Sequence, residues 1–140
     1  MPNTSLNTLP IYTASGDTQW SVSATTANTT KDLSTGTIFT AFTASVTGGY
    51  VQRIRFKPLG TNVATVARVW INNGFSTATA ANNTYWDDIS LPATTVSEIA
   101  AQPTFELPLN IALPANYRIF VTLGTAVAAG YTITTIGGKY

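Results

Sequence analysis

The stretch GGYVQRIRFKP, residues 48–58, holds three of the chain's seven cationic side chains. Read with the two-residue period of a β-strand, it puts Val51, Arg53, Arg55 and Lys57 on one face and Gln52, Ile54 and Phe56 on the other. The first set is then an outward ladder of cations and the second an inward apolar row. Two glycines precede the run and a proline ends it, so it reads as a strand entered by a turn.

The same grammar repeats along the chain. Short runs rich in β-branched and aromatic residues predict strands near 19–24, 37–44, 50–57, 63–71, 85–91, 104–112, 117–123 and 131–136. TGG (47–49) and NNG (72–74) offer residues that accept positive φ. Leu91-Pro92, Leu107-Pro108 and Leu113-Pro114 place strand ends or sheet edges, because proline donates nothing to a ladder. The one helical candidate is TTVSEIAAQ (94–102). Eight short strands at this spacing predict an all-β, two-sheet antiparallel β-sandwich, jelly-roll or Ig-like, with a closed barrel as the alternative.

Two segments follow from composition. Residues 1–36 are small and polar, with sparse apolar anchors at Leu6, Leu9, Ile11, Tyr12 and Trp20, and read as an extended N-terminal arm. Such an arm either pairs as an edge strand on its own domain or lies along a neighbouring subunit, and the reading favours the neighbour. Residues 37–140 are the sandwich domain, and the 140-residue chain is long enough to bury about two-thirds of its unfolded surface without a disulfide or metal.

There is no cysteine and no histidine. Thiolate chemistry, disulfides, cysteine zinc sites and the commonest general base are therefore outside this chain's means. Its six acids are Asp17, Asp32, Asp87, Asp88, Glu98 and Glu106. Only Asp87 and Asp88 are adjacent, and neighbouring strand residues point to opposite faces, which speaks against a calcium site. Glu98 and Glu106 flank Pro103 without a pattern that marks a glycosidase pair. No phosphate-binding loop or nucleophile elbow is present. The expectation is a non-enzymatic protein with no cofactor and no metal.

Charged residues make up 9% of the chain, against about 25% in an average soluble domain. The net charge is +1. A surface of Thr, Ala and Asn repels neither copies of itself nor a neutral neighbour, so the composition points to life in an assembly. Arg53, Arg55 and Lys57, joined by Arg68 if the next strand pairs alongside, are the candidate docking face. Together with Leu6, Leu9, Ile11 and Tyr12 they form the predicted partner or oligomer interface. Nucleic acid usually demands six or more cations on one face, so a protein partner is the better fit. The start MPNTSLNTLP lacks the cationic and apolar stretches of a signal peptide, and no apolar run approaches the roughly 18 residues of a membrane-spanning helix. No membrane partner is expected.

VARVWINNG (66–74) followed by LPLNIALPANYRIFVTLGTAVAAGYTITTIGGKY (107–140) resembles small β-structured virion proteins of tailed bacteriophages. The pattern is a strand, a Leu-Pro-Ala turn, a Tyr-Arg strand, a Gly-Thr-Ala turn and a last strand ending in Gly-Gly. The resemblance implies a β-sandwich, often trimeric, of the capsid decoration (cement) or small tail and head-fibre kind, made in the host cytoplasm and bound where major capsid protein subunits meet. It carries no catalytic residue, and residues 1–36 lie outside it. A second reading is a carbohydrate- or receptor-binding domain that stacks sugars on Trp70, Tyr85 or Trp86.

Overall fold

The computed structural model describes the backbone of residues 15–140 and side chains from Ser23 onward. Eight strands follow one another: β1 (Ser15–Ala24), β2 (Phe39–Thr43), β3 (Gly49–Pro58), β4 (Thr65–Asn72), β5 (Asn83–Leu91), β6 (Phe105–Leu113), β7 (Arg118–Leu123) and β8 (Tyr131–Lys139). All eight predicted strands are present. The segment 94–102, between β5 and β6, is an irregular loop and not a helix, and the helical turn found among the described residues is a 3₁₀ turn at Ala80–Asn82, between β4 and β5. Thr94 explains the loop, because its backbone is already committed to an antiparallel bridge with Asn62.

The strands form two antiparallel sheets, ordered β1-β8-β3-β6 and β2-β7-β4-β5. Strand 1 pairs with 8, 2 with 7, 3 with 6 and 4 with 5. That is one long antiparallel hairpin rolled onto itself, the jelly roll, and it excludes the Ig-like order. Proline sits where such a sheet tolerates it, since Pro108 lies in β6, an edge strand.

The core fills the space between the sheets. Val51, Ile54 and Phe56 of β3 with Tyr131 and Ile133 of β8 face Phe42 of β2, Val69 of β4, and Ile119, Val121 and Leu123 of β7. Thr135 is buried among them, and its hydroxyl donates a 2.7 Å hydrogen bond to the Ala41 carbonyl across the sandwich.

One detail of the opening stretch is corrected. Val51 is buried and Gln52 exposed, the reverse of the strict alternation. Val51 pairs with Gly137 and Arg53 with Ile136, so Gln52 is an extra residue against β8. The bulge shifts the phase by one, and Ile54 and Phe56 still point inward while Arg53, Arg55 and Lys57 point outward. Gly137 permits it: a Cβ there would lie 2.2 Å from the Tyr50 carbonyl oxygen.

The described part of segment 1–36 belongs to the sandwich. Residues 15–24 form β1, hydrogen-bonded to β8 of the same chain. Residues 25–36 then cross the outer face of the β2-β7-β4-β5 sheet as a strap. Leu33, Trp70 and Phe120 make a second apolar cluster there, with Ile38 packed against it. Phe120 alternates with the core residues Ile119 and Val121, which puts it on the outside of β7, where Leu33 of the strap packs with it and the Arg118 guanidinium lies 5.3 Å from its ring centroid. Asn28 holds the strap closed through its amide, which donates to the Thr35 and Thr37 carbonyls at 2.9 and 3.0 Å. Asn83 donates to the Asp32 carbonyl at 2.9 Å. These side-chain hydrogen bonds do for a polar segment what apolar mass does elsewhere.

Candidate contact surface

Arg53, Arg55 and Lys57 stand on the outer face of the β1-β8-β3-β6 sheet, as the sequence predicts, but they are not equally available. Arg53 Nε lies 3.4 Å from Glu106 Oε2 on β6, and its Nη1 donates to Gln52 Oε1 at 2.8 Å. Lys57 Nζ donates to the Gln102 carbonyl at 2.8 Å. Arg55 is the exposed member of the three. Arg68 does not join them. The chain crosses to the other sheet after β3, and β4 pairs with β5 and β7, placing Arg68 between Asp88 and Thr122. Leu6, Leu9, Ile11 and Tyr12 lie outside the described residues.

The aromatics separate by face. Trp70 is buried under the strap, its indole N–H donating to Thr122 Oγ1 at 3.1 Å. Tyr85 packs on it with ring centroids 4.8 Å apart and donates its hydroxyl to Asp88 Oδ2. Partial burial, then the carboxylate beside it, push the Tyr85 phenol above its ordinary value. Trp86 is the extra residue of a bulge in β5 and turns to the open side between β5 and β6. There it lines an apolar cleft of about 260 Å³ with Ile71, Ile111, Leu113, Pro114 and Tyr117.

The acids are dispersed. Glu106 faces Arg53, Asp88 faces Tyr85, and Asp32 accepts from the Ser34 amide and hydroxyl, which holds its carboxyl below the ordinary value. Among the described residues no three acidic, histidine or cysteine side chains converge as a metal site would require. Among them, too, no helix is long and apolar enough to cross a membrane.

Among the described residues, four exposed aliphatic side chains lie at the end of the sandwich away from the start of β1. Two loops meet there, β3–β4 (59–64) and β5–β6 (92–104), and expose Leu59, Val63, Val96 and Ile99 at 52, 57, 52 and 99%. The loops are tightly stitched. Asn62 and Thr94 exchange backbone hydrogen bonds at 3.0 and 2.9 Å. The buried Asn62 side chain accepts from the Ala129 and Gly130 amides and donates to the Gly130 carbonyl. Thr94 Oγ1 and Gln102 Nε2 both donate to the Gly60 carbonyl, and Lys57 fastens Gln102 from beneath. The apolar tips are thus held in place before anything binds, which lowers the ordering cost of a contact.

Sequence reasoning missed this surface. It absorbed Val63 into a strand and Val96 and Ile99 into a helix. The signal was there: LGTNV (59–63) and TTVSEIA (94–100) scatter aliphatics among turn formers, where no sheet face can bury them.

Fold and surface together define a jelly-roll domain with a pre-organised apolar end. No protein-family model, no curated protein and no solved structure matches the chain.

Proposed function

We propose that this protein is a non-enzymatic structural component of a tailed-phage particle, a decoration protein that binds the outer capsid surface and stabilises it. The observation that carries the reading is the stitched loop end with Leu59, Val63, Val96 and Ile99 exposed on it. Rigid, apolar and almost uncharged, it suits a flat protein neighbour better than a small polar substrate. The jelly roll serves viral capsid and lectin domains alike, so the fold leaves the choice to the surface. Stabilisation follows by mass action, since whatever binds the assembled shell and not its parts favours the shell. The low charge of the whole chain suits a homo-oligomer, a trimer first, seated where capsid subunits meet.

The test is cosedimentation with purified phage heads. Ile99→Asp with Val96→Asp is expected to cost about 2 kcal/mol or more in binding while leaving the fold intact, as loss of a central anchor does. Unchanged occupancy of the heads would remove the loop end from the contact. Arg55→Ser should mainly change the salt dependence, because an exposed charge steers more than it holds.

A carbohydrate-binding reading draws on one observation, the half-exposure of Tyr85 and Trp86 at 46 and 48%. A glycan array in which Trp86→Ala abolishes a signal would favour it. Trp70 is buried and takes no part.

A further inference from the structure

An exposed tryptophan beside an exposed carboxylate is a receiver for a guanidinium, which stacks on the ring and forks onto the oxygens. Strand β5 builds one on the open side of the sandwich. Asp87 pairs with Val69, whose side chain enters the core, so Asp87 points to the same side and, on an edge strand, stays exposed between β5 and β6. Trp86, the extra residue of the bulge, turns to that opening as well and is half-exposed. Asp87 Oδ1 accepts the Asp88 amide at 2.8 Å, and among the described residues no cation pairs with it.

The chain holds four arginines, and three are engaged within their own copy. Arg53 faces Glu106, Arg68 lies against Tyr85, and Arg118 donates to Asn72 Oδ1 and stacks over Phe120. Arg55 is exposed, and its cross-strand neighbour Glu106 is turned to Arg53. Arg55 stands on the outer face of its sheet, a different side of the sandwich from Trp86 and Asp87, so donor and receiver are set for a head-to-tail contact between copies. They are also level. Arg55 comes three residues before the end of β3 at Pro58 and Asp87 four before the end of β5 at Leu91, and both strands run into the loops joined by Asn62 and Thr94. At about 3.3 Å per residue the two heights differ by about 3 Å. Copies set side by side with their strand axes aligned then meet with little rise per contact, which closes a ring instead of growing a filament. Two residues further from the loops, Ile136 and Pro108 flank Arg53 on the donor face, and the apolar cleft lies in the same direction from Asp87.

We infer that a second copy of this chain occupies the opening between β5 and β6, with its Arg55 stacked on Trp86 and paired to Asp87. Glu98, another exposed acid, is the weaker receiver, because it stands between Ser97 and Ile99 with no aromatic neighbour in sequence. The inference rests on the homo-oligomer of the proposed reading and not on its capsid contact, since the aliphatic loop end stays free. It withdraws Trp86 as a sugar platform in the assembled ring. Salt screens the ion pair, and the ring weakens with it.

Sedimentation equilibrium of the full-length chain should give a multiple of the single-chain mass. Arg55→Glu or Asp87→Arg alone should weaken association at least about tenfold, as loss of a close interfacial charge pair does, and both reversals in one chain should restore it. Glu98→Arg should leave association unchanged. The absence of cysteine allows a second measurement. Arg55→Cys mixed with Asp87→Cys should be coupled by a short bis-maleimide at least about tenfold faster than either variant with itself. A monomer at every concentration, single reversals without effect, or a double reversal that stays dissociated each overturns the inference. Rapid coupling of one cysteine variant to itself also does, because it marks a two-fold contact. Val96→Asp with Ile99→Asp should keep the mass while releasing the protein from phage heads, so the ring and the capsid contact fail separately.

Discussion

Lys57 Nζ donates a 2.8 Å hydrogen bond to the carbonyl oxygen of Gln102, which ties the last outward cation of β3 to the far loop of the β5–β6 connection. A cation first read as a docking group is therefore also a structural fastener. Lys57→Met keeps the aliphatic stem and removes the donor. A hydrogen bond to a charged group contributes about 1.5–3 kcal/mol, and here the loss should fall on the loop more than on the whole fold. Hydrogen exchange at 95–102 is expected to rise while the melting temperature falls only slightly. If exchange in the loop stays as in the parent protein, the tie has no mechanical role.

The strap makes a sharper demand on stability. Leu33 is 1% exposed beneath it, packed with Trp70 and Phe120. Leu33→Ala should cost about 2–4 kcal/mol, the range for a buried leucine whose site cannot collapse freely. Its φ of 62° adds a conformational preference that alanine does not relieve. Denaturant unfolding of the variant measures the loss, and a change below about 1 kcal/mol would mean that the strap lies loosely on the sheet.

How much of this was legible beforehand follows from what each segment uses to stay in place. The strands announced themselves through runs of β-branched and aromatic residues, and β8 and β3 from Ile54 onward also supply the two-residue alternation that packing between sheets needs. Gly48 and Gly74 take positive φ in the turns where TGG and NNG placed them. The strap did not announce itself. It carries one buried leucine, and it is otherwise held by backbone hydrogen bonds at Thr25 and Asn28 and by the Asn28 and Asn83 side chains reaching backbone carbonyls, pairings that depend on the folded neighbour and leave no period in the sequence. The bulge at Gln52 was hidden for a related reason: the enabling residue, Gly137, lies on another strand far along the chain. The site fared worse than the fold. Arg53, Arg55 and Lys57 do share a face, but Arg68 went to the other sheet, which only the roll-up order of the strands decides.

Gly137 gives a test of that bulge. Its missing Cβ would sit 2.2 Å from the Tyr50 oxygen and 2.9 Å from the Val51 Cα, both backbone atoms that cannot step aside. Gly137→Ala should destabilise the sandwich by about 3 kcal/mol, through overpacking rather than lost flexibility. Gly138→Ala is the comparison. The two variants' unfolding curves should differ clearly, with Gly137→Ala the weaker protein, and equal stabilities would show that the β3–β8 register relaxes around the added methyl.

Alkaline pH probes the core from a different side. Tyr131 is fully buried, and burial raises its phenol above the ordinary value of 10.0. Tyr85 is raised in the same sense, by partial burial and by Asp88. For a group whose folded pKa lies above its unfolded one, the native state keeps its advantage below the unfolded value and loses it as pH climbs toward the folded value. Below pH 10 both states carry neutral phenols and these tyrosines add no slope. Above it the unfolded chain ionises first and is favoured. Thermal melts at pH 9, 10 and 11 should show little change over the first step and a marked fall over the second. Tyr131→Phe removes the fully buried phenol and should flatten that fall. A parent protein whose melting temperature holds steady to pH 11 would mean that the Tyr131 ring ionises in place, and that the core around it admits water.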